Sequence, residues 1–360
     1  MDLLIQLFKK ERMLNIRVSL TSFIIIMMIG ANLSAQSLTD LQQNYKDGNT
    51  AEAAKIGKQL LEANPDDILV AHITGRALTD EKEFDAAIPL LEKVIASDET
   101  PAWMRAWTNG YLGVCYFAKD ERQNAKENLD KAIELDVTEN STEFAQKRIK
   151  LYQLSPYYDN WKSEETEHIR MHFQPDIQIR DTKDYISKHE AAYQKANKFF
   201  QANPFKKIDI YVWGNPREGA LEIGREVGTA SSGVCIINAV PRQSPGHEIN
   251  HILMDFGIQP IFTNALVYEG ATVYFDQENP DWMAAAKASL NGQKMDFEDL
   301  FETVPGWPER VIYPVGAAFI EFLLKKGDDT TLKAFLKEQT WEKLLELYGE
   351  GTVREFEAQF

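Results

Sequence analysis

Three residues in one five-residue window carry the clearest chemical signal in this 360-residue chain: His247, Glu248 and His251, spelling His-Glu-x-x-His. On a helix, positions i and i+4 share a face, with Cβ atoms about 5–6 Å apart. Two neutral imidazoles held that way can share one Zn²⁺, and the glutamate between them points to the place of a metal-bound water. The plainer alternative is an amphipathic helix that happens to carry two of the chain's six histidines.

A catalytic zinc takes three protein ligands and keeps one position open. Three carboxylates qualify by type. Asp255 lies one turn past His251 on the same helix, so it points along the axis and not around the metal. Asp276 falls near the end of the next helix. Glu269, eighteen positions beyond His251, is preferred. Thr263 or Asn264 can cap a second helix running through residues 267–275, which puts Glu269 in its first turns. Gly270 beside it would let the two helices approach closely.

These residues need elements to hold them. Ser244 is a good N-cap and Pro245 suits the first helical position. Ile249, Ile252, Leu253 and Phe256 give the helix an apolar face; Gly257 ends it and Pro260 prevents its resumption. Upstream, residues 168–173 alternate as a half-buried strand, with His168, Arg170 and His172 on its polar outer face. Four positions along a strand span about 13 Å, so His168 and His172 read as an exposed face and not as a ligand pair. Residues 184–201 form a long amphipathic helix in which Tyr193 stands four beyond His189, so no second metal pair arises. Residues 207–213 and 234–240 are further strands, the last standing where an extended peptide could add beside the metal helix. Strand, helix, strand, strand and then helices indicate an α+β domain. The remaining segments, with helices beginning near Asp296, Gly316, Asp329 and Trp341 and a rigid loop at 304–308, read as scaffold.

Residues 37–152 differ in kind: helical periodicity throughout, with no strand signal. Gly75 and Ala87 have the same spacing as Gly113 and Ala125, and Ala53 precedes Ala87 by thirty-four positions. Ala87 to Ala125 is thirty-eight, which puts about four inserted residues in the 99–105 connection. Leu112-Gly113, Tyr116, Ala125, Leu129, Ala132 and Asp136 resemble a tetratricopeptide unit. The first unit is less regular, with Gly48, Ala53 and Pro65 in place but Leu41 where a glycine belongs. Such a module would hold a peptide or partner protein on its concave face, or simply brace the next domain. His72 reads as a surface or packing residue.

The start reads as a signal peptide. Lys9, Lys10, Arg12 and Arg17 precede an apolar run that ends at Gly30, and Leu33-Ser34-Ala35 suits cleavage. The expected organisation is therefore a signal peptide at 1–35, a tetratricopeptide-like all-α repeat domain at 36–155 and an α+β domain at 156–360. The protein would be exported, periplasmic or secreted, with no stable membrane span after cleavage near Ala35. Removing four positive and two negative charges takes the net charge from −16 to −18, which disfavours nucleic acid and anionic lipid as partners. Cys115 and Cys235 are too few for a disulfide framework and read as buried free thiols.

His247-Glu248-Ile249-Asn250-His251, followed by Glu269-Gly270-Ala271 and Tyr274, resembles the gluzincin metallopeptidases, in particular the peptidase MA-like domains of bacterial exported proteins. The resemblance extends over residues 157–360. It implies a zincin-like fold, zinc on His247, His251 and Glu269, and Glu248 as general base. Tyr313 stands where many relatives carry a tyrosine ahead of a C-terminal helix and would supply a donor to the oxyanion; packing at a helix start before Pro314 is the alternative. Val273 stands where thermolysin-like relatives often carry a carboxylate that orients a histidine. The Gly-x-Met-Glu-Asn signature of related aminopeptidases is absent, which favours endopeptidase activity. The expected function is zinc-dependent hydrolysis of a peptide or protein substrate, with a partner protein on the repeats. The alternative is a non-catalytic interaction scaffold with a degenerate protease-like domain.

Overall fold

The computed structural model describes residues 37–276, 281–293, 296–303 and 306–360, so the expected signal peptide lies outside the described residues. The chain is helix-rich with one small mixed sheet, and it divides into two compact units, the first ending at Leu154 and the second beginning at Ser155.

The first unit is all helix: α1 (37–46), α2 (Thr50–Ala63), α3 (Ile68–Asp80), α4 (Phe84–Ala96), α5 (Ala102–Ala118), α6 (Arg122–Leu135) and α7 (Glu139–Leu151). Glycine sets how closely they pair. A Cβ on Gly75 would stand 2.7 Å from Leu91, and one on Gly113 would stand 2.5 Å from Leu129, so α3–α4 and α5–α6 meet through the same contact. The expected four-residue insertion lengthens a helix and not a loop: α5 has 17 residues against 13 in α3. Arg105 in that added turn donates to the carbonyls of Ile95 and Thr100 at 2.8 and 3.1 Å, closing the end of α4. Leu41, Ala53, Ala87, Leu91, Leu112 and Cys115 form the core.

The second unit begins with β1 (Lys162–Glu165) and β2 (Ile169–Phe173), then α8 (Thr182–Phe200), β3 (Ile208–Val212), α9 (Pro216–Ile223), β4 (Thr229–Ser231) and β5 (Ile236–Ala239). Helices follow: α10 (His247–Gly257), α11 (Ala265–Asp276), α12 (Trp282–Leu290), α13 (Phe297–Glu302), α14 (Glu309–Lys326), α15 (Asp329–Lys337), α16 (Trp341–Tyr348) and α17 (Glu350–Glu357). The sheet runs β1-β2-β3-β5-β4, with β2, β3 and β5 parallel and both edge strands antiparallel. Met171, Ile210 and Ile237 align across it on the face that joins residues of α8, α10, α11 and α14 in one hydrophobic core.

The opposite face corrects an expectation. His172 is buried, not solvent-facing: it stacks on Tyr211 with ring centroids 4.3 Å apart. Its Nε2 meets Asp209 Oδ1 and its Nδ1 meets Ser163 Oγ, both at 2.7 Å. Asp209, fully buried, also pairs with Lys206, so the polar residues on this face neutralise one another instead of facing water. His168, at the strand's start, donates to Glu190 at 2.6 Å.

Helix α14 begins at Glu309, not near Gly316, and carries Pro314 within it. Gly270 serves α14 and not α10: a Cβ there would stand 2.4 Å from the carbonyl carbon of Gly316. Both cysteines are free and buried, as expected. Among the described residues no helix is long and apolar enough to cross a membrane.

Candidate metal centre

The helix carrying the histidine pair starts later than its Ser-Pro pair suggests. His247 is its first residue, and no side chain of the 244–246 segment caps it. The backbone N–H of Gly246 donates instead to Asp276 Oδ1 at 2.7 Å, so a carboxylate from the end of α11 takes the capping role. This is also what Asp276 does in place of binding a metal. Gly257 is the last residue of α10, not its stop: a Cβ there would stand 2.2 Å from the carbonyl oxygen of Phe200.

Asn250 is fully buried and donates its amide to the carbonyl oxygen of Thr272 at 2.9 Å, pinning α10 to α11. Asn264 Oδ1 caps α11 by accepting from the Leu266 N–H at 3.0 Å, while its amide donates to the carbonyl of Phe301 at 2.7 Å. Glu269 then falls in the second turn, facing α10.

The result is convergence. Glu269 Oε2 lies 3.3 Å from His247 Nε2 and 3.5 Å from His251 Nε2, and the three groups' donor atoms all lie within 4.8 Å of one another. Two ligand atoms at about 2.0–2.1 Å from one tetrahedral ion stand about 3.3–3.4 Å apart, so these separations suit a shared zinc. Glu269 Oε2 is moreover buried without a hydrogen-bond partner among the described residues. Burial alone would push its carboxyl up, but the imidazoles of His247 and His251 outweigh that and hold it at about 2, so it stands as an anion. Borderline imidazole nitrogens plus one carboxylate are also the donor types zinc takes at catalytic sites. The residues fit the metal.

Thr272 supplies orientation where Val273 offers none. Its hydroxyl donates to the carbonyl of Glu269 at 2.8 Å and stands 3.4 Å from His247 Nδ1. A hydroxyl has one proton, so toward His247 it accepts; Nδ1 then carries a hydrogen, the arrangement that would leave Nε2 to a bound metal.

Glu248 and Tyr313 share the cavity, of about 520 Å³, with all three candidate ligands. Glu248 is buried, which raises its carboxyl pKa against the opposing pull of His251 and His247, and its Oε1 accepts from Gln243 Nε2 at 2.7 Å. Tyr313 stands in the second turn of α14, with its ring centroid 5.4 Å from that of His247. Burial first, then the charges of Glu269, Glu309 and Glu248, push its phenol pKa up. Asp255, discounted as a ligand by its position along the helix, accepts from Tyr268 at 2.8 Å, and the Tyr268 ring stacks on His251 at 4.9 Å.

A second group, Glu167, His168 and Glu190, also brings donor atoms within 4.8 Å. There Glu190 already accepts from Thr166, from His168 Nδ1 and from the His168 backbone, so its oxygens are taken. A larger cavity of about 610 Å³, walled by Gln174, Trp213, Asn215, Glu218 and Arg242, holds none of the groups described above.

Local patterns did not reveal Thr272, Gln243, Tyr268 or Glu309 as parts of this site. Thr272 alone had a usable signal, lying three positions after Glu269 on the same helix.

Comparison with known proteins finds no matching family description, no matching curated protein and no matching solved structure.

Proposed function

We propose that this chain is a zinc-dependent metallopeptidase of the gluzincin type, with a zincin-like peptidase domain over 156–360 and tetratricopeptide-like repeats over 36–155. The observation that carries this reading is the 3.3 and 3.5 Å convergence of His247, His251 and Glu269 beside the buried carboxyl of Glu248. The recurring glycine contact in α3–α4 and α5–α6 supports the repeat reading, and the charged, apolar and small-residue order of residues 1–35 supports export. The repeats would hold the substrate or a partner protein.

His247, His251 and Glu269 would hold the zinc, which when bound lowers the pKa of water and polarises a carbonyl. Glu248 takes a proton from the attacking water and returns it to the leaving amine. Burial suits it to that task, because a raised carboxyl pKa favours proton uptake. Gln243 occupies one carboxyl oxygen of Glu248 and leaves the other to act as base. Tyr313 keeps its proton through neutral pH, so it can donate a hydrogen bond to the developing oxyanion.

The test is hydrolysis of casein and of N-acetylated peptides by the zinc-loaded protein beside Glu248→Gln. Removing a general base costs about 10²- to 10⁴-fold, so the variant should retain zinc and lose at least a hundredfold in rate. A wild type that binds zinc yet cuts no faster than Glu248→Gln would support the scaffold reading instead.

A further inference from the structure

The cavity around His247, His251 and Glu269 carries more negative charge than the proposed chemistry uses. Besides Glu248 and Glu269 it is lined by Asp255 and Glu309, and no lysine or arginine lines it among the described residues. Glu309 sits in the first turn of α14, one turn before Tyr313 on the same helix. It is exposed, and makes no hydrogen bond or ion pair among the described residues. Asp255 is half-buried and accepts one hydrogen bond, from Tyr268.

A divalent ion on the three ligands would be balanced by the charges of Glu269 and Glu248. Glu309 and Asp255 would then remain as uncompensated anions on the wall. A cleft lined by one sign of charge between low-dielectric walls focuses its field and concentrates ligands of the opposite sign. The chain as a whole, at −16, adds to that field.

We propose that Glu309, assisted by Asp255, is a specificity residue that selects peptides bearing an ammonium or guanidinium group beside the bond presented to Glu248. The inference rests on the peptidase reading and names its substrate class. Two sources supply such a cation: a lysine or arginine side chain within the peptide, or its free α-amino group. The first makes Glu309 a side-chain determinant of an endopeptidase; the second makes it an amino-terminal anchor.

The experiment titrates unlabelled octapeptides into full-length, zinc-loaded Glu248→Gln protein by calorimetry, and measures cleavage of the same peptides by wild type. The set contains an N-acetylated peptide with an internal lysine, its norleucine counterpart, and both peptides with free amino termini. A cation should tighten binding about fivefold, the upper range for an exposed ion pair. The preference should shrink at high salt and vanish in Glu309→Gln, while Glu309→Lys should reverse it. A gain from the internal lysine identifies a side-chain determinant; a gain confined to free amino termini identifies the anchor. Equal binding of all four peptides, or a preference untouched by Glu309→Gln, overturns the proposal. Charge-blind cleavage overturns it too, while leaving the peptidase reading intact. If wild type cleaves no peptide but the Glu309-dependent preference persists, the peptidase reading fails and the cation preference stands.

Discussion

The hydroxyl of Thr272 stands 3.4 Å from His247 Nδ1 while donating to the backbone carbonyl of Glu269 at 2.8 Å. One side chain thus orients one candidate ligand and is itself fixed by the backbone of another. Partners of this kind are worth about ten- to a hundredfold in metal affinity.

Thr272→Val keeps the shape and removes the hydroxyl, so zinc affinity should fall by about ten- to a hundredfold. Thr272→Ser should restore most of it. Competition titration against a chromogenic chelator measures both; equal affinity in wild type and Thr272→Val would show that the hydroxyl does not orient His247.

Gly270 and Gly316 permit the close approach of α11 and α14. A Cβ on Gly270 would meet the Gly316 backbone at 2.4 Å, and one on Gly316 would meet the Leu266 carbonyl at 2.3 Å. Backbone cannot move aside like a side chain, so either glycine-to-alanine change should destabilise the protein by about 1–3 kcal/mol. The two share one contact, so the double variant should cost less than the sum. Thermal denaturation reads this, and Gly270→Ala should also weaken zinc binding, because Glu269 is its neighbour.

His72 predicts an acid sensitivity in the helical unit. It is buried, its Nδ1 meets Thr108 Oγ1 at 2.9 Å and its Nε2 meets Arg76 Nη1 at 3.3 Å. Arginine only donates, so Nε2 accepts and the ring is neutral with its proton on Nδ1. Burial, then the Arg76 charge, lower its pKa from 6.5 to about 3. Between those values the unfolded chain binds a proton that the folded chain does not. The contribution is therefore full above about pH 6.5 and is lost as pH falls toward 3; at pH 5 the loss is about 2 kcal/mol. His72→Gln should flatten this part of the profile in denaturant midpoints at pH 5 and pH 7. An unchanged pH dependence would mean that the ring is protonated in the fold.

Much of the site was legible because its parts repeat at helical spacing. His247 and His251 lie one turn apart, and Asn264 announces the helix that carries Glu269. What stayed hidden depends on partners distant in sequence. Ser244-Pro245 has the chemistry of a helix start, yet Asp276, thirty positions on, caps the helix at Gly246. Asn250 had no local reason; its reason is the Thr272 carbonyl, twenty-two positions away. Edge strands β1 and β4 carry no strand signal because Lys-Ser-Glu-Glu and Thr-Ala-Ser have no apolar alternation. His172 misled because alternation marks a polar face without saying whether water or Asp209 meets it.

The most direct test of the central claim is zinc-edge X-ray absorption on the full-length protein loaded with one equivalent of zinc. Two imidazole nitrogens at about 2.0–2.1 Å and oxygen ligands at about 2.0–2.2 Å are predicted, with one imidazole contribution lost in His251→Ala and zinc retention sharply reduced in Glu269→Ala. Zinc that fails to stay bound to wild type, or a wild-type spectrum unchanged by both substitutions, would contradict the assignment of His247, His251 and Glu269 as a metal centre.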